Sequence, residues 1–281
     1  MEKMEQTMSI SVNNKLLNSF KFLGGECHIK IDVADIGDKT EIISHLNSSD
    51  DIMCLLMAVD AIRRVNSNTA IHLTIPYFPY ARQDRVCNEG ESLSVKVMAD
   101  IINNLHCAKV TIYDPHSDVT PALLNNCHII SLAEIVASSR LSKNIIDKKL
   151  ALVSPDAGAE KKTRTLAKHL STAEQAVEVF FSSKTRDTLT GNITATEIHG
   201  NVHGRNLVIV DDICDGGRTF VELAKALKDA DAGDIYLYVT HGIFSQGLSE
   251  LARYFKHVYC YHTMLSDAEI DSSILTILRD K

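Results

Sequence analysis

Residues 207–220, LVIVDDICDGGRTF, bring an apolar run, two adjacent carboxylates, a glycine pair and a helix start together in one short stretch. Leu207 to Val210 are continuously apolar, which suits a strand buried on both faces of a parallel sheet. Asp211 and Asp212 then fall at the carboxyl end of that strand, where open α/β sheets gather their ligands. Carboxylates there accept hydrogen bonds from the vicinal hydroxyls of a sugar. Gly216 and Gly217 let the backbone bend and approach an anion closely, and Thr219 adds a hydroxyl donor. A helix from about 220 to 228 presents its amino end to the same anion. The stretch reads as a cradle for a sugar phosphate. Asp and Gly also occur in βα turns that hold nothing, so the rest of the chain has to support the reading.

Working outward, apolar runs alternate with helical patterns along the whole chain. Strands are expected at 9–12, 27–33, 70–75 and 109–113, with helices at 92–104 and from 121; residues 55–58 read either as strand or as part of a helix ending near 64. After a polar stretch around 138–148 the pattern restarts: strand 150–153, helix 159–170, strand 176–181, a basic loop, then strands 193–198 and 207–210. Helix 219–230, strand 234–239, a helix around 246–253 and strand 257–260 follow. This βαβ alternation predicts an α/β protein of two related domains, 1–137 and 138–281, each with a parallel central sheet flanked by helices.

Composition narrows the class. At 281 residues and 45% hydrophobic content the chain can build one large or two ordinary cores. A formal charge of -7 with scattered basic residues argues against a nucleic-acid surface. The 7 cysteines, an odd number without Cys-x-x-Cys spacing, point to reduced thiols rather than a disulfide frame or a zinc site. The amino terminus is polar, and no apolar stretch approaches a membrane span, so a soluble cytoplasmic protein with no membrane partner is expected.

Other segments carry chemistry of their own. In TIYDPH, 111–116, His116 follows a strand, with Asp114 and Asp118 beside it; a lone histidine is as often a surface residue as a ligand, but hard divalent cations favour such a carboxylate-rich rim. Lys184 and Arg186 alternate within the polar stretch SSKTRD, which is either a solvated loop or one that closes over a phosphate chain and neutralises developing charge. Arg82 and Arg85 flank Gln83 and Asp84 after the aromatic run Tyr77-Phe78-Pro79-Tyr80, giving either an exposed turn or a place for nucleotide stacking and phosphate contact.

Taken together, these segments resemble the ribose-phosphate pyrophosphokinases (PRPP synthetases), which have the type I phosphoribosyltransferase fold. The resemblance rests on IPYFPYARQDR at 75–85, TIYDPH at 111–116, SPDAG at 154–158, SSKTRD at 182–187, LVIVDDICDGGRTF at 207–220 and THGIFS at 240–245, in that order. It implies transfer of the β,γ-diphosphate of ATP to the anomeric hydroxyl of ribose 5-phosphate, with Mg2+ required. It also implies site residues. Lys184 and Arg186 would be catalytic, and Arg82, Gln83, Asp84 and His116 would bind ATP. Phe22, Gly25 and Glu26, in FLGGE, would contact adenine bound to a neighbouring subunit, which implies a dimer or hexamer. Asp211, Asp212, Asp215, Gly216, Gly217, Arg218 and Thr219 would hold the ribose phosphate, and His116 and Asp156 the metal.

Departures from the family pattern fall at informative places. The usual Asp-Thr-Gly-Gly-Thr loop is Asp215-Gly216-Gly217-Arg218-Thr219 here, losing a hydroxyl and gaining a cation. Gly24 replaces an aspartate in the adenine segment, VCNEGESLS at 86–94 replaces a basic segment that binds regulatory phosphate, and Gly242 stands where proline is usual. Arg218 opens a second possibility, the same transfer to ADP-ribose, whose 5-phosphate is a diester needing an open exit. The product, ADP-ribose pyrophosphate, would serve NAD resynthesis. A non-catalytic regulatory homologue is a third reading. A base phosphoribosyltransferase is a fourth, sharing the 207–220 cradle but leaving ARQDR and the Asp-x-His strand end without a role.

Overall fold

The computed structural model describes residues 10–147, 150–186 and 193–278, without the side chains of 184–186 and 193–196. By its backbone contacts the chain divides into two compact units, Met1–Ile130 and Ser131–Lys281. The division falls after Ile130 rather than after 137 because Leu132, Ala133 and Val136 are buried in a core of the second unit.

The first unit contains β1 (Ile10–Val12), β2 (Lys15–Leu16), β3 (Asn18–Lys21), β4 (Cys27–Lys30), β5 (Lys39–Ser44), α1 (Ser49–Val65), β6 (Ala70–Ile75), α2 (Ser94–Asn103), β7 (Lys109–Tyr113), α3 (Val119–Leu123) and β8 (Cys127–Ile130). Its main sheet runs β2-β1-β5-β6-β7-β8. Strands β5 to β8 are parallel, and β1 joins β5 antiparallel. β3 and β4 form a separate hairpin. The ambiguous segment at 55–58 is helix. Ser48 caps α1 by accepting from Asp51 N at 3.3 Å, and Cys54, Leu55, Ala58, Val59 and Ile62 recur at helical spacing on its buried face. The strand expected at 27–33 stops at Lys30, since Asp32 turns the chain into a short 3-10 turn by accepting from Ala34 N at 3.1 Å.

The second unit contains α4 (Leu132–Ser138), α5 (Arg140–Asp147), β9 (Ala151–Ser154), α6 (Glu160–Leu170), β10 (Val179–Arg186), β11 (Ile193–His199), β12 (Leu207–Cys214), α7 (Arg218–Asp229), β13 (Ile235–Gly242), α8 (Ser249–Tyr254), β14 (His257–Thr263) and β15 (Leu275–Ile277). The sheet order is β11-β10-β9-β12-β13-β14-β15. Among the described residues, only the β10–β11 pairing is antiparallel in it. Side-chain alternation splits the core in two. Val153, Leu207, Ile209, Leu237 and Val239 pack with α7 and α8, while Leu152, Val208, Val210, Tyr236 and Tyr238 pack with α4, α5 and α6. Helices therefore cover both faces, as the unbroken apolar runs require. The polar stretch at 138–148 holds α5, whose only buried residues are Leu141 and Ile145.

Candidate functional site

In the second unit the candidate residues gather at the carboxyl ends of neighbouring strands. β12 runs on through Asp211 and Asp212 to Cys214, four residues past the expected strand end at 210, because β13 continues to pair with it as far as Cys214↔Gly242. On its other side, β9 stops pairing at Ile209↔Val153. The two carboxylates thus stand where the sheet opens on one flank. Asp212 is buried, and Lys162 on α6 brings its Nζ to 3.9 Å from Asp212 Oδ2. Asp211 is half-buried, and its carboxyl is held well above the usual carboxylate range, first by desolvation and then by the charge of Asp212, with a smaller push from Asp156.

Asp156 follows β9 in the SPDAG turn. Its Oδ1 accepts from Gly158 N at 3.0 Å and Ala159 N at 3.2 Å, which fixes the carboxylate at the entrance to α6. The turn is pinned from the neighbouring strand by Ser182, whose Oγ donates to Ser154 O at 3.1 Å and Pro155 O at 2.8 Å.

The glycine loop has the form an anion site needs. Gly217 is the N-cap of α7 in the left-handed region, φ 76, and no side chain caps the helix. A Cβ there would also lie 3.3 Å from Leu251 Cδ2. The first-turn amides of a helix have no intrahelical partner, so the amino end of α7 is available to an anion. Arg218 is exposed on that first turn and Thr219 is half-buried beside it.

Lys184 and Arg186 lie in β10 rather than in a loop. Their backbone pairs with β11, Lys184↔Thr196 and Arg186↔Ile193, with a register shift between Thr185 and Arg186. The β-branched residues Ile193, Thr194, Thr196 and Ile198 give the returning strand that ladder. The two basic side chains lie outside the described residues.

In the first unit, the ARQDR segment leaves the carboxyl end of β6 and the Asp-x-His segment that of β7, its parallel neighbour. Phe78 and Ala81 are buried anchors, Tyr80 takes φ 62, and Gln83 N donates to Tyr80 O at 2.9 Å. Arg82, Gln83 and Arg85 are exposed and Asp84 is half-buried. Asp114 is buried with φ 37, and its amide donates to Ile130 O at 2.8 Å, which leaves His116 exposed at the turn. Phe22, Gly25 and Glu26 occupy the exposed tip of the β3–β4 hairpin. There Gly25 takes φ 91, Phe22 N donates to Glu26 O at 2.8 Å, and the Phe22 ring packs edge-on against Phe20 at 5.0 Å.

Sequence reasoning did not find Lys162, nor the contact of Ser245 and Gln246 with the glycine loop. A Cβ built on Gly216 would meet Gln246 Cγ at 3.6 Å and Ser245 Oγ at 4.0 Å. Lys162 had a weak signal, a lysine one turn into the helix after SPDAG. The turn residues had none, because their placement depends on Phe244 folding back over Gly242. The Phe244 Cε2 atom lies 2.0 Å from where a Gly242 Cβ would be. Glycine in place of the usual proline is thereby explained.

Among the described residues no three His, Cys, Asp or Glu side chains form a ligand cluster, and no helix is long and apolar enough to cross a membrane. The carboxylates do suit Mg2+, which commonly takes one or two protein carboxylates and completes its shell with water and substrate phosphates. Crowding of Asp211 against Asp212 is the electrostatic situation that a divalent cation relieves.

Known proteins similar to this chain identify its family and fold. Residues 2–105 match the family model of the N-terminal domain of ribose phosphate pyrophosphokinase, and residues 152–255 that of the phosphoribosyl synthetase-associated domain. A ribose-phosphate pyrophosphokinase of Hyphomonas neptunium is 30% identical over 226 residues, covering 80% of this chain and 70% of that protein. One from Maricaulis maris is 31% identical over 228 residues, covering 80% and 71%. The crystal structure of phosphoribosylpyrophosphate synthetase from Mycobacterium smegmatis superposes with a TM-score of 0.79 at 22% identity, over 94% of this chain and 85% of that one. That likeness establishes the fold, type I phosphoribosyltransferase-like.

Proposed function

The chain belongs to the ribose-phosphate pyrophosphokinase family and is a diphosphokinase-type transferase, and we propose that it uses ribose 5-phosphate as acceptor to make PRPP and AMP. The observation that carries this reading is the pairing of carboxylates at the open end of β12 with the uncapped amino end of α7. Hydroxyls of the sugar and a phosphate are the two groups such a surface binds together. In the reaction the anomeric oxygen forms a bond to the β-phosphorus of ATP, the bond from that phosphorus to the α,β-bridging oxygen breaks, and AMP leaves. Phosphoryl transfer of this kind asks mainly for positioning and charge stabilisation.

Asp211 and Asp212 accept from the ribose hydroxyls, while the amides of Asp215 to Thr219 and the Thr219 hydroxyl surround the 5-phosphate. Lys162 limits the negative charge around Asp212 when the site is empty. Lys184 and Arg186 stabilise the charge on the transferring group. Arg82, Gln83, Asp84 and His116 bind ATP, and Phe22, Gly25 and Glu26 contact the adenine of a neighbouring copy, which makes the protein a homo-oligomer. Asp156 and His116 are each assigned by the resemblance to Mg2+, which would supply neutralisation of phosphate charge if bound. The formal charge of -7 with scattered basic residues disfavours a nucleic-acid partner, and a cytoplasmic location goes with this reading.

Arg218 supports a second reading. Its exposed place on the first turn of α7 puts a cation where a further phosphate would emerge from a 5-substituted acceptor, so the same transfer to ADP-ribose would give ADP-ribose pyrophosphate. A non-catalytic regulatory homologue is disfavoured by the presence of Lys184, Arg186, His116 and Asp156 together. One assay separates the three: magnesium-dependent AMP release from ATP with ribose 5-phosphate or ADP-ribose, with the mass of each product determined. Turnover of ADP-ribose alone excludes the first reading, turnover of ribose 5-phosphate alone excludes the second, and no turnover of either leaves the regulatory one.

A further inference from the structure

The turn after β13 is fastened to the glycine loop. Ile243 N and Phe244 N both donate to Cys214 O, at 2.8 and 3.1 Å, and Ser245 N donates to Asp215 O at 3.2 Å. Phe244 itself is buried in the left-handed region, φ 50, with its ring over Gly242. These restraints fix the backbone just before Gln246. Its side chain then runs over Gly216, with Cγ 3.6 Å from the position of a Cβ on that glycine. The carboxamide is the next group along this exposed side chain.

We propose that Gln246 is a specificity-determining residue for the acceptor, its carboxamide N–H donating to the 5-phosphate held by Asp215 to Thr219. The proposal rests on reading that segment as the sugar-phosphate loop. Gly216 has no side chain to offer, and the space its Cβ would occupy is bordered by Gln246 and Ser245 from another element. A neutral donor there adds a hydrogen bond to an anion without adding charge. It also narrows the loop on the side of Gly216, so the length of residue 246 sets how bulky a 5-phosphoryl group the loop admits.

The test is steady-state kinetics of Gln246→Ala and Gln246→Glu, with whichever of ribose 5-phosphate and ADP-ribose supports AMP release, together with calorimetric binding of that acceptor in the absence of ATP. A lost hydrogen bond to a charged group predicts about a tenfold rise in acceptor KM for Gln246→Ala. A carboxylate facing the phosphate predicts a larger rise, roughly 100-fold, for Gln246→Glu. The KM for ATP and kcat should stay within about twofold, calorimetric affinity should fall in parallel, and thermal unfolding of the unliganded variants should match the parent. An unchanged acceptor KM in Gln246→Glu, or a fall in kcat without a change in acceptor KM, overturns the proposal. Thr219→Val serves as the control within the loop. If it raises acceptor KM while Gln246→Glu does not, only the role of Gln246 fails. If neither variant changes it, the assignment of the loop fails as well.

Discussion

If Asp211 holds the ribose as proposed, its function acts against stability. Its pKa is raised by desolvation first and by Asp212 second, so folding favours the protonated carboxyl over the charged one relative to the unfolded chain. With a folded value above the unfolded one, its contribution to stability is complete below the ordinary carboxylate range and is lost as pH rises through the raised value. Asp211→Asn, which keeps the shape and removes the charge, should therefore melt higher than the parent at neutral pH in the presence of a chelator. A gain of about 1 kcal/mol appears as roughly 2–4 °C in a domain of this size. The difference should shrink as the pH is lowered, because the parent then carries the neutral form too. Activity should fall by on the order of 100-fold or more, the usual scale for losing an electrostatic contact in a transfer site. Calorimetric scans of both proteins across the acidic range measure this; a difference that grows on acidification contradicts the assigned cause. Asp211 and Asp212 were legible in the sequence because a double carboxylate after four apolar residues has few structural uses. Lys162 was hidden, since a lysine on an amphipathic helix is ordinarily a solvated one, and only the neighbouring strand shows which carboxylate it meets.

Elements were legible where their pattern was strong, as in the continuous apolar runs of β9, β12 and β13. β5 escaped, since four of the six residues of KTEIIS are polar and only the burial alternates, buried Thr40, Ile42 and Ser44 against exposed Lys39, Glu41 and Ile43, although the strand lies inside the sheet between β1 and β6. The α4 helix escaped because it is only 7 residues long and its apolar residues, Leu132, Ala133, Ile135 and Val136, are interrupted by Glu134 of the capping box with Ser131. The end of β12 was placed too early for a related reason: carboxylates are poor strand formers, and pairing to β13 overrides that preference. The turn after β13 yields the prediction at this scale. A methyl group at residue 242 would collide with the Phe244 ring, whose nearest atom is 2.0 Å from the Cβ position. Gly242→Ala should destabilise the protein by about 1–3 kcal/mol, the range for overpacking a closed core. In a Phe244→Ala background the obstacle is gone, and the same substitution should cost under about 0.5 kcal/mol. Denaturant melts of the four proteins give the coupling energy. Simple additivity would mean that the ring does not determine the glycine.

At the scale of the whole molecule, the domain pattern read from the sequence differs from the structure in where the first unit ends, and the difference has a physical basis. The segment 131–137 falls to the first domain in the sequence reading because the polar stretch around 138–148 reads as the break after which the pattern restarts. Its apolar residues instead pack with α6 and with Tyr236 and Tyr238 of β13. Each unit then has a core formed from its own residues: one cluster in Met1–Ile130, and one on each face of the sheet in Ser131–Lys281. At about 150 residues a domain buries roughly 70% of the surface its unfolded chain exposes, enough for independent stability. A fragment beginning at Ser131 should therefore unfold in a single cooperative transition and, on the proposed assignment of Asp156, Asp211, Asp212 and the glycine loop to the acceptor, retain affinity for a sugar phosphate. A fragment beginning at 138 would expose Tyr236 and Tyr238 where α4 is removed and should melt lower or fold incompletely. Neither fragment should release AMP from ATP, since the residues proposed to bind ATP, Arg82, Gln83, Asp84 and His116, belong to the first unit. Near-ultraviolet circular dichroism, thermal scans and acceptor calorimetry on the two fragments decide the matter. Equal stability of both would show that α4 contributes nothing to the second core, and failure of the longer fragment to bind the acceptor would show that residues beyond Ser131–Lys281 are needed to hold the sugar phosphate.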